Sequence, residues 1–153
     1  MAAVQRSGIN QRWFLVPLRL LIGFGFAAHG YAKLMRGPDH FTAILSALHV
    51  PAPHIMAWIT TLVELLGGAA IFIGAFVALV SVPLAVTLLT AMLTVHLRYG
   101  FSSIKLLSVT AAGAKFGPPG YELDLLYIAG LFALAVAGAT PLSVDAYRGS
   151  GRR

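Results

Sequence analysis

Cysteine is absent from all 153 residues. That excludes thiol–disulfide exchange, thiolate metal sites, Cys-ligated iron–sulfur clusters and thioether-linked haem, so any redox role needs a cofactor held by other groups. Charge is nearly as scarce: Asp, Glu, Lys and Arg make up 10% of the chain, against roughly a quarter in a soluble domain. With 58% hydrophobic residues and a mean hydropathy of +0.83, too little polar surface remains to face water. The chain reads as an integral membrane protein whose first partner is the lipid bilayer. The formal net charge of +6 does not argue for nucleic acid. Its basic residues are scattered or terminal (Arg6, Arg12, Arg148, Arg152, Arg153), a distribution that suits anionic lipid headgroups. No motif for a flavin, a nicotinamide or a metal centre is present.

Apolar runs then set the spans. The first is expected over residues 13–33, with Pro17 near its start, where proline is tolerated. A cleaved signal peptide is the competing reading of this segment, but Arg19 interrupts the apolar region that such a peptide needs. From Leu65 to Val95 the chain runs 31 positions without Asp, Glu, Lys or Arg. One helix of that length exceeds the roughly 20 residues that cross a bilayer, so the run folds back, with Gly74 as the stop. Spans are thus expected at 55–74 and 77–97, and a fourth at 121–139, ending before Pro141. Between the first two spans, Phe41, Ile44, Leu45 and Leu48 mark a short amphipathic, interfacial helix. Between the third and fourth, "GFSSIKLLSVTAAGAKFGPPG" shows no sustained helical period and is expected as a long irregular loop. The expectation is an all-α, integral membrane four-helix bundle, residues 1–153 forming one domain.

Four antiparallel spans place both long connections on one side of the membrane and both termini on the other. Arg6, Arg12, Arg148, Arg152 and Arg153 flank the terminal side, against Arg36, Lys105 and Lys115 on the loop side. That bias puts both termini in the cytoplasm of a bacterial-type inner (cell) membrane. The same layout gathers the ionisable groups. His29 and Lys33 near the end of the first span, His96 at the end of the third, and Tyr121, Glu122 and Asp124 at the start of the fourth all lie towards the loops. His29 and Lys33 are four apart and share a helix face, as do Glu64 and Gly68. Glu64 is too deep to reach the headgroups, so it must pair or line a wet cavity. The expected site is a pocket open to the loop side, lined by His29, Lys33 and Glu64, with His96 and Glu122 at its margin. Lys33, His96, Glu122 and Asp124 are also close enough to helix ends to sit in the headgroups, which leaves an interfacial role open for each. Arg19 is read as structural, reaching the headgroups or pairing with Asp145. The glycines, among them Gly23, Gly30, Gly67, Gly68 and Gly130, are expected to let helices pack closely.

At these residues the sequence resembles the DoxX family of small four-span membrane proteins. The resemblance rests on "LRLLIGFGFAAHGYAKL", "WITTLVELLGGAAIFIG", the span ending in His96, "GYELDLLYIAG" and "PLSVDAY", in order, from Arg19 to Asp145. It implies a four-span fold and a place in quinone-linked or stress-related redox systems. By position it marks Arg19, His29, Gly30, Lys33, Glu64, Gly67, Gly68, Gly120, Tyr121 and Glu122. The loop over 100–120 is longer than plainer members need.

Two functions compete. In the first, the chain is the membrane subunit of a quinone-linked oxidoreductase. His29 and Glu64 do the proton chemistry, while His29, Lys33, His96, Tyr121 and Glu122 surround the quinone. Electrons then come from a redox partner protein. Haem, with His29 and His96 as axial ligands, has only those two histidines in its favour. In the second, the chain is a non-enzymatic scaffold, assembly factor or chaperone, alone or as a homo-oligomer, and the polar groups hold the helices in register. A proton-coupled carrier would show repeats and broken helices that this sequence lacks.

Overall fold

The computed structural model describes residues 12–150; Arg6, Arg152 and Arg153, which weigh in the terminal charge, lie outside the described residues. The described chain is mostly helical. Its elements are α1 (Leu15–Arg36), α2 (Pro38–Ala47), α3 (Pro53–Ile73), α4 (Val77–Ala91), a hairpin of β1 (Leu106–Thr110) and β2 (Gly113–Phe116), α5 (Glu122–Ala137) and α6 (Val144–Ser150). Helix α4 runs on through a π turn, Met92–His96, and a 3-10 turn to Tyr99.

Among the described residues, three helices are long and apolar enough to cross a membrane: Leu15–Arg36, Pro53–Ile73 and Val77–Tyr99. What covers them agrees with that environment. The buried core is small, built on Ile22, Phe26, Ile71, Leu84, Leu131 and Leu134. Large apolar side chains meanwhile point outwards along the same helices, with Leu79 72% and Phe132 70% exposed. In water such surfaces aggregate; in lipid they are the solvated face. Several hydroxyls on these helices return to the backbone, as Thr61 donates to Ala57 O and Ser81 to Val77 O, which satisfies them without water. The protein is a multi-pass membrane protein.

The stop at Gly74 forms as expected. Gly74 takes φ +71°, its N–H donates to Ile71 O, and the Ala75 N–H donates to Ala70 O. This paired closure is the Schellman ending, which glycine allows without a Cβ clash. Helix α4 then starts at once, because Asp145 accepts hydrogen bonds from the Phe76 and Val77 N–H groups, the donors that a helix start leaves unpaired.

Two expectations need correction. The connection over 100–120 is not irregular, since it holds the antiparallel β1–β2 hairpin, closed across Thr110 and Gly113. Its strand pattern is masked in the sequence by a bulge between Leu106 and Ser108, which breaks the period-two alternation by which strands are read. Arg19 does not pair with Asp145. It is 2% exposed and donates to Thr140 Oγ1 at 2.7 Å, Pro141 O at 3.2 Å and Leu142 O at 2.9 Å. The chain after α5 is thus irregular while still packed inside the protein, and a backbone of that kind needs donors from within. Arg19 supplies them.

Candidate functional site

Helices α1 and α3 pack along their length, and small residues set how closely. A Cβ on Gly23 would meet Phe72 N at 2.4 Å, one on Gly68 would meet Ala27 N at 2.3 Å, and one on Gly30 would meet Leu65 N at 2.4 Å. Those are backbone atoms, which cannot move aside, so the crossing depends on glycine. The three contacts define one antiparallel register. Just beyond the Gly30–Leu65 contact, Lys33 reaches across from α1 to Glu64 of α3, and the two form a salt bridge. Glu64 is the deeper partner, its side chain 9% exposed against 24% for Lys33. On its other side the Lys33 ammonium lies 4.7 Å from the centre of the Phe41 ring, a cation–π contact that ties α2 to the same point.

Beside this pair is a groove of about 210 Å³ between the end of α1 and the start of α2. His29, Lys33, Arg36 and His40 supply its polar lining, and Phe41 and Ile44 its apolar lining. Among the described residues, Glu64 is the sole carboxylate in ion-pair contact with that lining. The groove is therefore rich in donors and poor in acceptors. His29 is exposed at its edge. Arg36 and His40 were not among the sequence candidates. The signal for them was the helical spacing of His29, Lys33 and Arg36 on one face, with α2 folding back over it.

The remaining candidates lie elsewhere. His96 Nδ1 is 2.7 Å from Asp124 Oδ2, which joins α4 to α5. The π turn over Met92–His96 carries one extra residue in its turn, which swings the downstream residues by about 100° relative to a regular helix. Asp124 is buried and Glu122 half-buried, as two residues apart on a helix point to opposite sides. Glu122 instead accepts the Ser103 N–H at 3.0 Å, and Tyr121 packs edge-on to Phe101 with ring centres 5.5 Å apart. His96, Tyr121 and Glu122 thus do not line the groove. They organise the hairpin end of α4 and α5. Asp124 as the partner of His96 was legible only in part: it begins the buried face that continues through Leu131 and Leu134. No group of three or more His, Cys, Asp or Glu placed to hold a metal occurs among the described residues.

The family model for DoxX matches residues 14–97, the stretch from α1 through His96. The chain is also 28% identical over 138 residues to a Bacillus subtilis (strain 168) protein described as "Putative oxidoreductase CatD", an alignment covering 89% of this chain and 87% of that protein. No solved structure gives a significant match.

Proposed function

The chain belongs to the DoxX family, and from that premise we propose that it is the membrane-embedded part of an oxidoreductase system that reduces a quinone in the α1–α2 groove. The observation that carries this reading is the Lys33–Glu64 salt bridge at the edge of a donor-rich, partly aromatic groove. The oxidoreductase name of the Bacillus subtilis relative supports the reaction class.

The groove fits a quinone headgroup in kind. Phe41 and Ile44 give a ring an apolar surface, and His29 and Lys33 offer N–H donors to carbonyl oxygens. Bound there, a quinone accepts two electrons and two protons to become a quinol, with the electrons delivered by a partner protein. The chain's own residues do the rest. Lys33 and Arg36 stabilise negative charge as it arrives at the carbonyl oxygens. Lys33 and His29 donate hydrogen bonds that become proton transfers. Once Lys33 has given its proton, Glu64 beside it takes up a proton from water on the loop side and relays it to the neutral amine, which restores the ion pair. The groove lies at the C-terminal end of α1, where a lipid-soluble molecule can reach it from the bilayer.

In this reading α5 is a fourth span. Its 16 helical residues cover about 24 Å at 1.5 Å each, and the irregular chain to Thr140, held by Arg19, completes the crossing. Both termini face the cytoplasm of the cell membrane; Arg98, at the loop-side end of α4, narrows the charge bias behind that orientation.

A second reading is supported by a different observation: two polar contacts each join two helices, the salt bridge of Lys33 on α1 with Glu64 on α3 and the hydrogen bond between His96 at the end of α4 and Asp124 on α5. A scaffold that needs only fixed helix positions would use them in the same way. One experiment separates the two. The protein is purified in mild detergent, and its bound small molecules are extracted for mass spectrometry. Near-stoichiometric quinone, lost in His29→Ala and Glu64→Leu, is the expected result. An empty site with a co-purifying protein, and Glu64→Gln tolerated in cells, favours the scaffold.

A further inference from the structure

We infer that the β1–β2 hairpin is a membrane-surface anchor that lays one apolar face into the headgroup–acyl boundary of the bilayer its own helices cross. The register assigns the faces. Leu106 pairs with Phe116 and Val109 with Ala114, while Ser108 pairs with Lys115 and Thr110 with Gly113. Residues paired across a ladder share a face, and residues two apart on a strand share a face. Leu106, Val109, Ala114 and Phe116 therefore make one side, and Ser108, Thr110 and Lys115 the other. Leu106 and Val109 are three apart, and only the bulge between Leu106 and Ser108 brings them to the same side. The bulge thus turns a sequence without alternation into an amphipathic hairpin. Nothing in the described chain covers its apolar side, since every residue of both strands is exposed.

Three further observations say what does cover it. The base of the hairpin is tied to the helix ends: Gly120 N–H donates to Ser102 O, Tyr121 N–H to Gly100 O and Glu122 N–H to Phe101 O. It therefore leaves α4 and returns to α5 at the bilayer boundary. The exposed apolar surface of α4 continues into it through Leu97, Phe101 and Ile104, so its apolar face extends the lipid-facing surface. Finally, residues 97–121 contain Arg98, Lys105 and Lys115 and no Asp or Glu, a charge that complements anionic headgroups. The hairpin lies at the surface and does not plunge into the core. A two-stranded sheet has two edges of unpaired backbone groups, which headgroup water satisfies and hydrocarbon does not. This inference does not depend on the quinone reading.

The lack of native cysteine makes the test direct. Single cysteines at Val109→Cys and Phe116→Cys on one face, and Ser108→Cys and Lys115→Cys on the other, carry nitroxide labels in the full chain. The chain is reconstituted in vesicles of phosphatidylcholine with phosphatidylglycerol. The expected result is more relaxation by oxygen than by a water-soluble nickel chelate at 109 and 116, and the reverse at 108 and 115. Equal nickel access on both faces overturns the proposal. So does poor access of both reagents at 109 and 116, which means a protein cover, or line broadening there that disappears on dilution with unlabelled chain, which means a second copy. Phe116→Trp gives an independent measurement. Its added emission is expected to be quenched more by lipids brominated near the headgroup than by lipids brominated near the chain end, and the absence of quenching by either overturns the proposal.

Discussion

Lys33 and Glu64 are one interaction, and the structure predicts that their removal is unequal and non-additive. Removing one partner of a buried ion pair costs about 3–5 kcal/mol, because the other charge stays in a low dielectric. Here the partners differ in depth. Glu64 is 9% exposed, eleven residues along α3 from Pro53, while Lys33 is 24% exposed and three residues from the end of α1. In Glu64→Leu the lysine can swing its flexible stem towards the headgroups, which limits the loss to about 1–2 kcal/mol. In Lys33→Met the carboxylate has no such escape, and the loss is about 3 kcal/mol. The double variant removes both charges and replaces them with apolar volume, so it is expected within about 1 kcal/mol of the parent. With the double variant level with the parent, the coupling from the cycle is then about 4–5 kcal/mol. The assay is reversible unfolding in mixed micelles, titrated with dodecyl sulfate and followed by helical circular dichroism. Additivity within about 0.5 kcal/mol would refute the pairing, and a greater loss in Glu64→Leu than in Lys33→Met would refute the argument from depth.

Three other perturbations test the same geometry. Gly30→Val places a branched side chain where even a Cβ would meet the Leu65 backbone at 2.4 Å; α1 and α3 should separate, and the variant should lose more stability than the roughly 1–3 kcal/mol typical of an overpacked core, measured by the same titration. Arg19→Met leaves Thr140 Oγ1 and the carbonyls of Pro141 and Leu142 without the donor they share. At about 1–3 kcal/mol for each buried polar group left unpaired, it should reduce the amount of folded protein recovered from membranes, and Arg19→Lys should restore only part of it. Asp145→Ala removes the acceptor for the Phe76 and Val77 N–H groups and should cost about 0.5–2 kcal/mol, while leaving any quinone content unchanged, because it acts at the opposite end of the bundle from the groove.

How much of this was legible in sequence differs from element to element. The spans were readable because a bilayer imposes a length and a polarity that composition alone reveals: the expected 13–33, 55–74 and 77–97 correspond to helices at Leu15–Arg36, Pro53–Ile73 and Val77–Tyr99. Gly74 was readable as a stop because few other residues take its backbone conformation so easily. The need for Glu64 to find a partner was also legible, since the cost of an isolated charge in lipid is a property of the residue and its depth.

Which partner it found was not. Lys33, His96 and Arg19 are all cations or can become so, and nothing local distinguishes them as mates for Glu64. The choice comes from the antiparallel register that Gly23, Gly30 and Gly68 impose on α1 and α3, a relation between residues roughly thirty to fifty positions apart in the chain. The same is true of Arg19, whose acceptors lie more than 120 positions away, and of His96, aimed at Asp124 by a π turn with no sequence signature. The hairpin faces depend on a bulge that hides the very alternation by which strands are read. The sequence by itself determined that the chain lies in a membrane, where its long apolar helices begin and end, and that its few charges cannot stand alone. Tertiary structure decided which charges meet, because pairing depends on distance between helices, and that distance is set by packing.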